Sequence, residues 1–250
     1  MSLFTPDLGV PRPSFPMVLP RWPAPDLHDA LITWWWPPAG EVRARNVLSR
    51  GAMRAIYRFS SWKLARSVHF ESALEEQVAL QLDACPTVRA YAEQPVLMEY
   101  ATPYGGWARH YPDFAVLHRG LRAFVEVKFA RDVDASVLER TQHLSMLLAP
   151  LGIAYRLVTE VDLPSPARLA NAWSLLSRGR TAITDLQALL VHQQALDGVS
   201  LADLGWGRVA NARSLARQIM EGRISVDLSR PIGLDTMAYT SEHKEGWLWA

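Results

Sequence analysis

The stretch LRAFVEVKF, residues 121–129, constrains the fold more than any other part of the chain. It alternates, and a strand's two-residue period puts Phe124, Glu126 and Lys128 on one face and Val125, Val127 and Phe129 on the other. Charges on a strand flanked by so many apolar side chains are costly to keep unless something uses them. Lysine is also scarce: of 26 basic residues only Lys63, Lys128 and Lys244 are lysines. Where nearly every cation is arginine, a lysine in an apolar strand needs its own account. The plain reading is a surface ion pair on the polar face of an amphipathic strand; the functional reading is half of a catalytic site.

Around this strand the pattern is layered. Short strands are expected near Ile56 to Phe59 and Val68, then at Val88–Tyr91, Val96–Tyr100 and Arg109–Leu117, with Gly105, Gly106 and Gly120 as breaks. HFESALEEQVALQLDA reads as a helix whose apolar stripe is Phe70, Leu74, Val78 and Leu82. Val137–Ala149 reads as a helix and Ala154–Val158 as a further strand. Helix, meander, helix and strand make an α/β or α+β core with a mixed sheet flanked by helices.

At 250 residues the chain is long enough for one main domain and a smaller appendage. Residues 1–50 are dense in proline and tryptophan, with Trp34, Trp35 and Trp36 followed by Pro37 and Pro38, and read as an extended arm packed on its own domain or on a partner. Residues 51–165 hold the core. From 166 to 250 a connecting helix (Leu169–Leu176) leads to helices at Leu186–Leu196, Leu201–Leu204 and Ala210–Met220, then two short strands in GRISVDLSRPIGLDTMAY. Three helices before a β-hairpin are winged-helix-like.

YPDFAVLHRGLRAFVEVKF places Asp113 one strand before Glu126 and Lys128, and a meander brings the three together. Paired carboxylates suit magnesium, which prefers oxygen ligands. They point to hydrolysis by an activated water, with Lys128 offsetting developing charge. A fourth acid is available upstream. Glu71 and Glu75 share a helical face and spacing does not choose between them. Ser72 and Glu75 also fit a capping box, but Phe70 in the apolar stripe argues for a helix that starts before Ser72.

Much else is excluded. No apolar run spans a bilayer and no signal-peptide pattern opens the chain, so a cytoplasmic, membrane-free protein is expected. Cys85, the single cysteine, reads as a buried thiol. His69, His110 and His118 lack paired ligand spacing and read as surface or packing residues, with His110 at a DNA mouth as the functional option. A net charge of +1 leaves nucleic-acid binding to local clusters. No glycine-rich phosphate loop is present.

The blocks FSSWKLARSVHFESALEEQ, EQPVLMEY, YPDF and FVEVKF, in this order and spacing, resemble the N-terminal catalytic domain of TnsA, the restriction-endonuclease-like subunit of heteromeric cut-and-paste transposases. The likeness covers residues 55–130 and continues more weakly through RLVTEVDL. It implies a restriction-endonuclease-like PD-(D/E)xK core with Glu75, Asp113, Glu126 and Lys128 as catalytic residues. It favours Glu75 over Glu71. Magnesium, or manganese in its place, would be held by Glu75, Asp113, Glu126 and the Val127 carbonyl. Some members carry glutamine at the position of Glu126. The resemblance further implies cleavage of 5′ strands at transposon ends in double-stranded DNA, beside a TnsB-like transposase and a TnsC-like AAA+ ATPase. In the winged-helix-like region Arg208, Arg213 and Arg217 are candidate phosphate contacts, or else a solvated helix face. Two alternatives stand beside this reading: a restriction or repair nuclease acting alone, and a winged-helix DNA-binding regulator.

Overall fold

The computed structural model describes residues 17–26, 30–45 and 56–240. Two compact units emerge, one within residues 15–79 and 88–163, the other within residues 80–87 and 164–240.

The first unit is built on a four-stranded mixed sheet. Its strands are β4 (Val88–Glu93), β7 (Phe114–His118), β8 (Leu121–Val127) and β9 (Ile153–Val158), in the order β4-β7-β8-β9. β4, β7 and β8 run antiparallel, whereas β9 runs parallel to β8. A parallel neighbour needs a crossover, supplied by the helix α2 (Ala135–Leu148), whose N-cap Asp134 accepts from Val137 N. β8 is therefore a central strand, and Ala123 to Val127 are all buried. The amphipathic, half-exposed strand expected from alternation is instead covered on both faces, because helix and arm close the side on which Glu126 lies.

That cover comes partly from the proline- and tryptophan-rich segment. Ile32–Trp35 is a strand, β1, paired antiparallel with β5 (Leu97–Ala101), which pairs in turn with β6 (Trp107–His110). Trp22 and Trp34 are buried against Phe124 at ring separations of 4.8 and 5.7 Å. They share one apolar cluster with Leu144 and Leu148 of α2. The described part of the arm thus contributes a strand and core side chains to this unit. On the sheet's other face Phe114 meets Tyr91 and Phe70.

Two expected elements differ in detail. The helix α1 spans Ala73–Ala84, and Phe70 ends the strand β3 (Arg66–Phe70), which pairs with β2 (Tyr57–Ser61). The strand expected over Arg109–Leu117 is broken into β6 and β7, with Pro112 at the break. Proline has no N–H to give a ladder, and the interruption leaves Asp113 at the mouth of β7.

In the second unit, α3 (Pro166–Arg178), α4 (Asp185–Gln194) and α5 (Val209–Met220) accompany a small antiparallel sheet. Its strands are β10 (Val199–Ser200), β11 (Ser225–Val226) and β12 (Met237–Tyr239), in the order β10-β12-β11. The helix expected at Leu201–Leu204 is a series of turns, and β10 was not foreseen. Thr184 caps α4 with a complete capping box to Gln187. No described helix is long and apolar enough to cross a membrane.

Candidate active site

Asp113 is fixed by its own backbone. Its N–H donates to Val125 O at 2.9 Å, and its carbonyl accepts from Gln94 N at 2.7 Å. Gln94 has a left-handed φ of 42°, a conformation that costs a non-glycine residue energy and is kept here by the bonds on either side. Asp113 Oδ2 then accepts from Val127 N at 2.7 Å, tying the acid to the end of β8. The neighbouring Glu93 is buried and bonded by both terminal nitrogens of Arg66, at 2.5 and 2.6 Å. The EQP block is thus the buried scaffold that sets Asp113.

Glu126 is 2% exposed, and both of its oxygens are engaged. Oε1 accepts from Arg140 Nη2 at 2.6 Å, with Lys128 Nζ at 3.7 Å. Oε2 accepts from Tyr155 OH at 2.9 Å, with His110 Nε2 at 3.5 Å. The Tyr155 hydroxyl also lies 2.7 Å from His110 Nε2. Burial holds the His110 ring at about 4, well below its ordinary value, so it is neutral at pH 7. Burial and the Glu126 charge both raise the Tyr155 phenol, which stays protonated and donating.

Glu75 is held by bonds at the start of its own helix. Helix α1 begins directly after Ser72, whose Oγ accepts from Glu75 N at 3.1 Å and donates to Glu75 Oε1 at 2.8 Å. Glu75 Oε2 accepts from Glu71 N at 3.2 Å. The capping function that the apolar stripe argued against is therefore present, because Phe70 belongs to a strand and the helix starts later. Glu71 pairs with Arg45 at 3.2 Å.

These groups line one open cleft of about 490 Å³. Glu75, Asp113, Glu126, Val127 and Lys128 all border it, together with Arg45, Arg109, His110 and Arg140. The electrostatics bind the acids together. Asp113 is pushed well above the usual carboxylate range by burial and by the Glu75 charge, with Glu126 adding to it. Glu75 is itself raised, chiefly by burial. The cations are on the outside: Arg45, Arg109 and Lys128 side chains are 49%, 71% and 40% exposed, against 3% for Glu126. Glu71 and Asp132 also line the cleft, so the rim is mixed with cations in excess, and with the acidic interior behind it this suits an anionic ligand whose charge is met twice, by the rim directly and by a cation held within. Among the described residues, no three His, Cys, Asp or Glu side chains are grouped closely enough to hold a metal as they stand. Glu126 is drawn toward Arg140 and Tyr155, and Glu75 toward its helix start.

Sequence reasoning brought Glu75, Asp113, Glu126, Val127 and Lys128 to one place. It passed over Arg140 and Tyr155, which hold Glu126, because nothing local in α2 or β9 marks an arginine or a tyrosine as facing β8. The register of Tyr155 opposite Phe124 puts its ring on the Glu126 side, a fact only the parallel pairing supplies. The scarcity of lysine was a partial guide, since Lys63 is also special: it is buried and donates to Val88 O at 2.7 Å. Of the three arginines on or before α5, Arg208, its N-cap, and Arg213 are exposed. Arg217 is turned inward, its Nε 2.6 Å from Glu221 Oε1, which removes it from any surface contact. Cys85 is buried beside the Thr87 hydroxyl.

No curated protein matches the chain. A solved structure, the crystal structure of protein VC1899 from Vibrio cholerae, is similar at a TM-score of 0.25 and 22% identity, over 34% of this chain and 22% of that one. Residues 85–160 match the family model of the TnsA-like endonuclease N terminal. That stretch contains Asp113, Glu126, Val127, Lys128, Arg140 and Tyr155, so the heart of the cleft lies in a segment similar to a TnsA-like endonuclease domain, with Glu75 upstream of it.

Proposed function

We propose that the chain is a metal-dependent DNA endonuclease that cuts the 5′ strands at transposon ends, working beside a TnsB-like transposase and a TnsC-like ATPase. The observation that carries the reading is the cleft in which Asp113, Glu126, Lys128 and Glu75 meet, most of it inside the TnsA-like endonuclease match.

The donor set fits magnesium in its chemistry. Glu75, Asp113 and Glu126 offer carboxylate oxygens and Val127 a backbone carbonyl, the hard ligands such a cation takes. Asp113 is held above the usual carboxylate range partly by Glu75 and Glu126, and a divalent cation among them would relieve that repulsion. When bound, the metal supplies Lewis acidity and a nucleophile competent near neutral pH.

The chain's own residues do the rest. Val127 N–H and the Gln94 bridge hold Asp113 in place. Lys128 presents its ammonium to the scissile phosphate and offsets the charge that develops there. Arg45 and Arg109 attract the flanking phosphates. In the second unit, helices with a β10-β12-β11 sheet support a winged-helix reading, with exposed Arg208 and Arg213 as its phosphate contacts.

The test is reconstitution of cutting on DNA carrying transposon ends, with and without the neighbouring transposase. Breaks at the 5′ strands that require both proteins are expected. Breaks made by this chain alone, at sites unrelated to the ends, would replace the transposition reading with an autonomous nuclease.

A further inference from the structure

The rim of the cleft continues along one face of β6. β5 and β6 form a hairpin whose turn is closed by Thr102 N to Gly106 O at 3.0 Å and by Thr102 Oγ1 to Gly105 O at 2.7 Å. Gly105 and Gly106 have φ of +90° and +82°, conformations that glycine adopts without strain. The turn carries Tyr104, whose hydroxyl donates to Glu139 of α2. Trp107 follows at 51% exposed, and alternation puts Arg109 on the same face two residues on. Arg109 Nε donates to Glu99 across the strands at 3.2 Å, which keeps the guanidinium upright at the rim. Arg109 and the next residue of that alternation, Tyr111, line the cleft itself, and Asp113 comes two residues later.

A single exposed aromatic on a protein surface needs no explanation. Here Trp107 and Arg109 share one face of a strand that leads into the candidate active site, with one side paired to β5 and no other strand beside it among the described residues. We infer that this hairpin holds the DNA duplex flanking the scissile phosphate, Arg109 meeting a backbone phosphate while Trp107 packs on sugar and base edges in a groove. The inference rests on the nuclease reading and adds the surface that orients the substrate. DNA is favoured over a protein partner because this face is continuous with a cleft whose rim carries three cations, Arg45, Arg109 and Lys128, against the acids Glu71 and Asp132. Arginine and aromatic side chains together recognise a strand whose charge and apolar edges alternate.

The experiment is anisotropy of a labelled duplex with the full chain, in calcium so that no cutting intervenes, across a salt series. Trp107→Ala should weaken binding about tenfold with the slope against salt unchanged, and Trp107→Phe should recover most of the loss. Arg109→Ala should weaken binding and reduce the slope by about one ion. Both side chains are exposed, so circular dichroism and melting should match the wild type. If the wild type binds duplex and both alanine variants bind as it does, the hairpin assignment is overturned while the nuclease reading stands. If the wild type binds no duplex at all, both fall together.

Discussion

Arg140 Nη2 lies 2.6 Å from Glu126 Oε1, so an acid of the cleft is held by a cation that belongs to the protein. Arg140 does not fit this place fully, since its buried Nε has no acceptor. A divalent cation taken by Glu126 must compete with the guanidinium. Arg140→Gln should therefore tighten manganese binding by about tenfold, read by calorimetry, since relieving about 1.4 kcal/mol of competition is one decade. Without metal the same variant should be less stable by about 3 kcal/mol, because Glu126 is left buried with less compensation. Equal manganese affinity in the variant would show that Arg140 does not compete with the cation, and weaker affinity that it supports the metal form instead.

Asp113 and its neighbours store repulsion. An acid raised in the folded state binds more protons folded than unfolded, so it lowers stability as pH rises from its ordinary value through its raised one. The cost grows as the pH climbs above the ordinary value and is complete once the pH has passed the raised one. Asp113→Asn keeps an oxygen for Val127 N–H and removes the charge, so it should raise the melting temperature at neutral pH while abolishing cutting. For a domain of this size each kcal/mol gained is about 2–4 °C. A lower melting temperature would mean that the carboxylates are not strained against one another.

His110 acts with the opposite sign. Its folded value is about 4 against an ordinary 6.5, so between these pH values the unfolded chain binds the extra proton and folding is penalised as the pH falls. The wild type minus His110→Asn difference in unfolding free energy should rise with pH across that window and level off above it. A flat difference from pH 4 to 7 would contradict the neutral, buried imidazole.

The tryptophan-rich arm gives a stability prediction. Trp34 is 2% exposed and packs on Phe124, and β1 pairs with β5 from Ile32 to Trp35. Trp34→Ala should cost about 3–5 kcal/mol in denaturant unfolding, the usual loss for a buried tryptophan. A change below about 1 kcal/mol would return the arm to the role of a partner hook.

What the sequence made legible follows from periodicity and spacing. The alternation of LRAFVEVKF located β8, and its two charged residues located the cleft. Reading Phe70 as helical was an error of type: a buried strand residue and a helix-stripe residue look alike when an apolar position happens to fall four before Leu74. That error hid the Ser72 cap. The meaning of Glu93 was hidden for another reason, since its partner Arg66 is 27 residues away and only the fold brings them together. The arm was read only as extended, from its prolines, yet between Pro25 and Pro37 there is room for one strand, and β5 offered an open edge.

The most direct test is end-mapping of magnesium-dependent breaks in duplex DNA carrying transposon ends, comparing the wild type with Asp113→Ala and Lys128→Ala in the presence of the partner transposase. The account predicts 5′-strand breaks by the wild type, none by either variant, a folded chain in all three, and duplex binding that Asp113→Ala retains and Lys128→Ala weakens by the loss of one phosphate contact. Unchanged cutting by Asp113→Ala would contradict the assignment of this cleft as the active site.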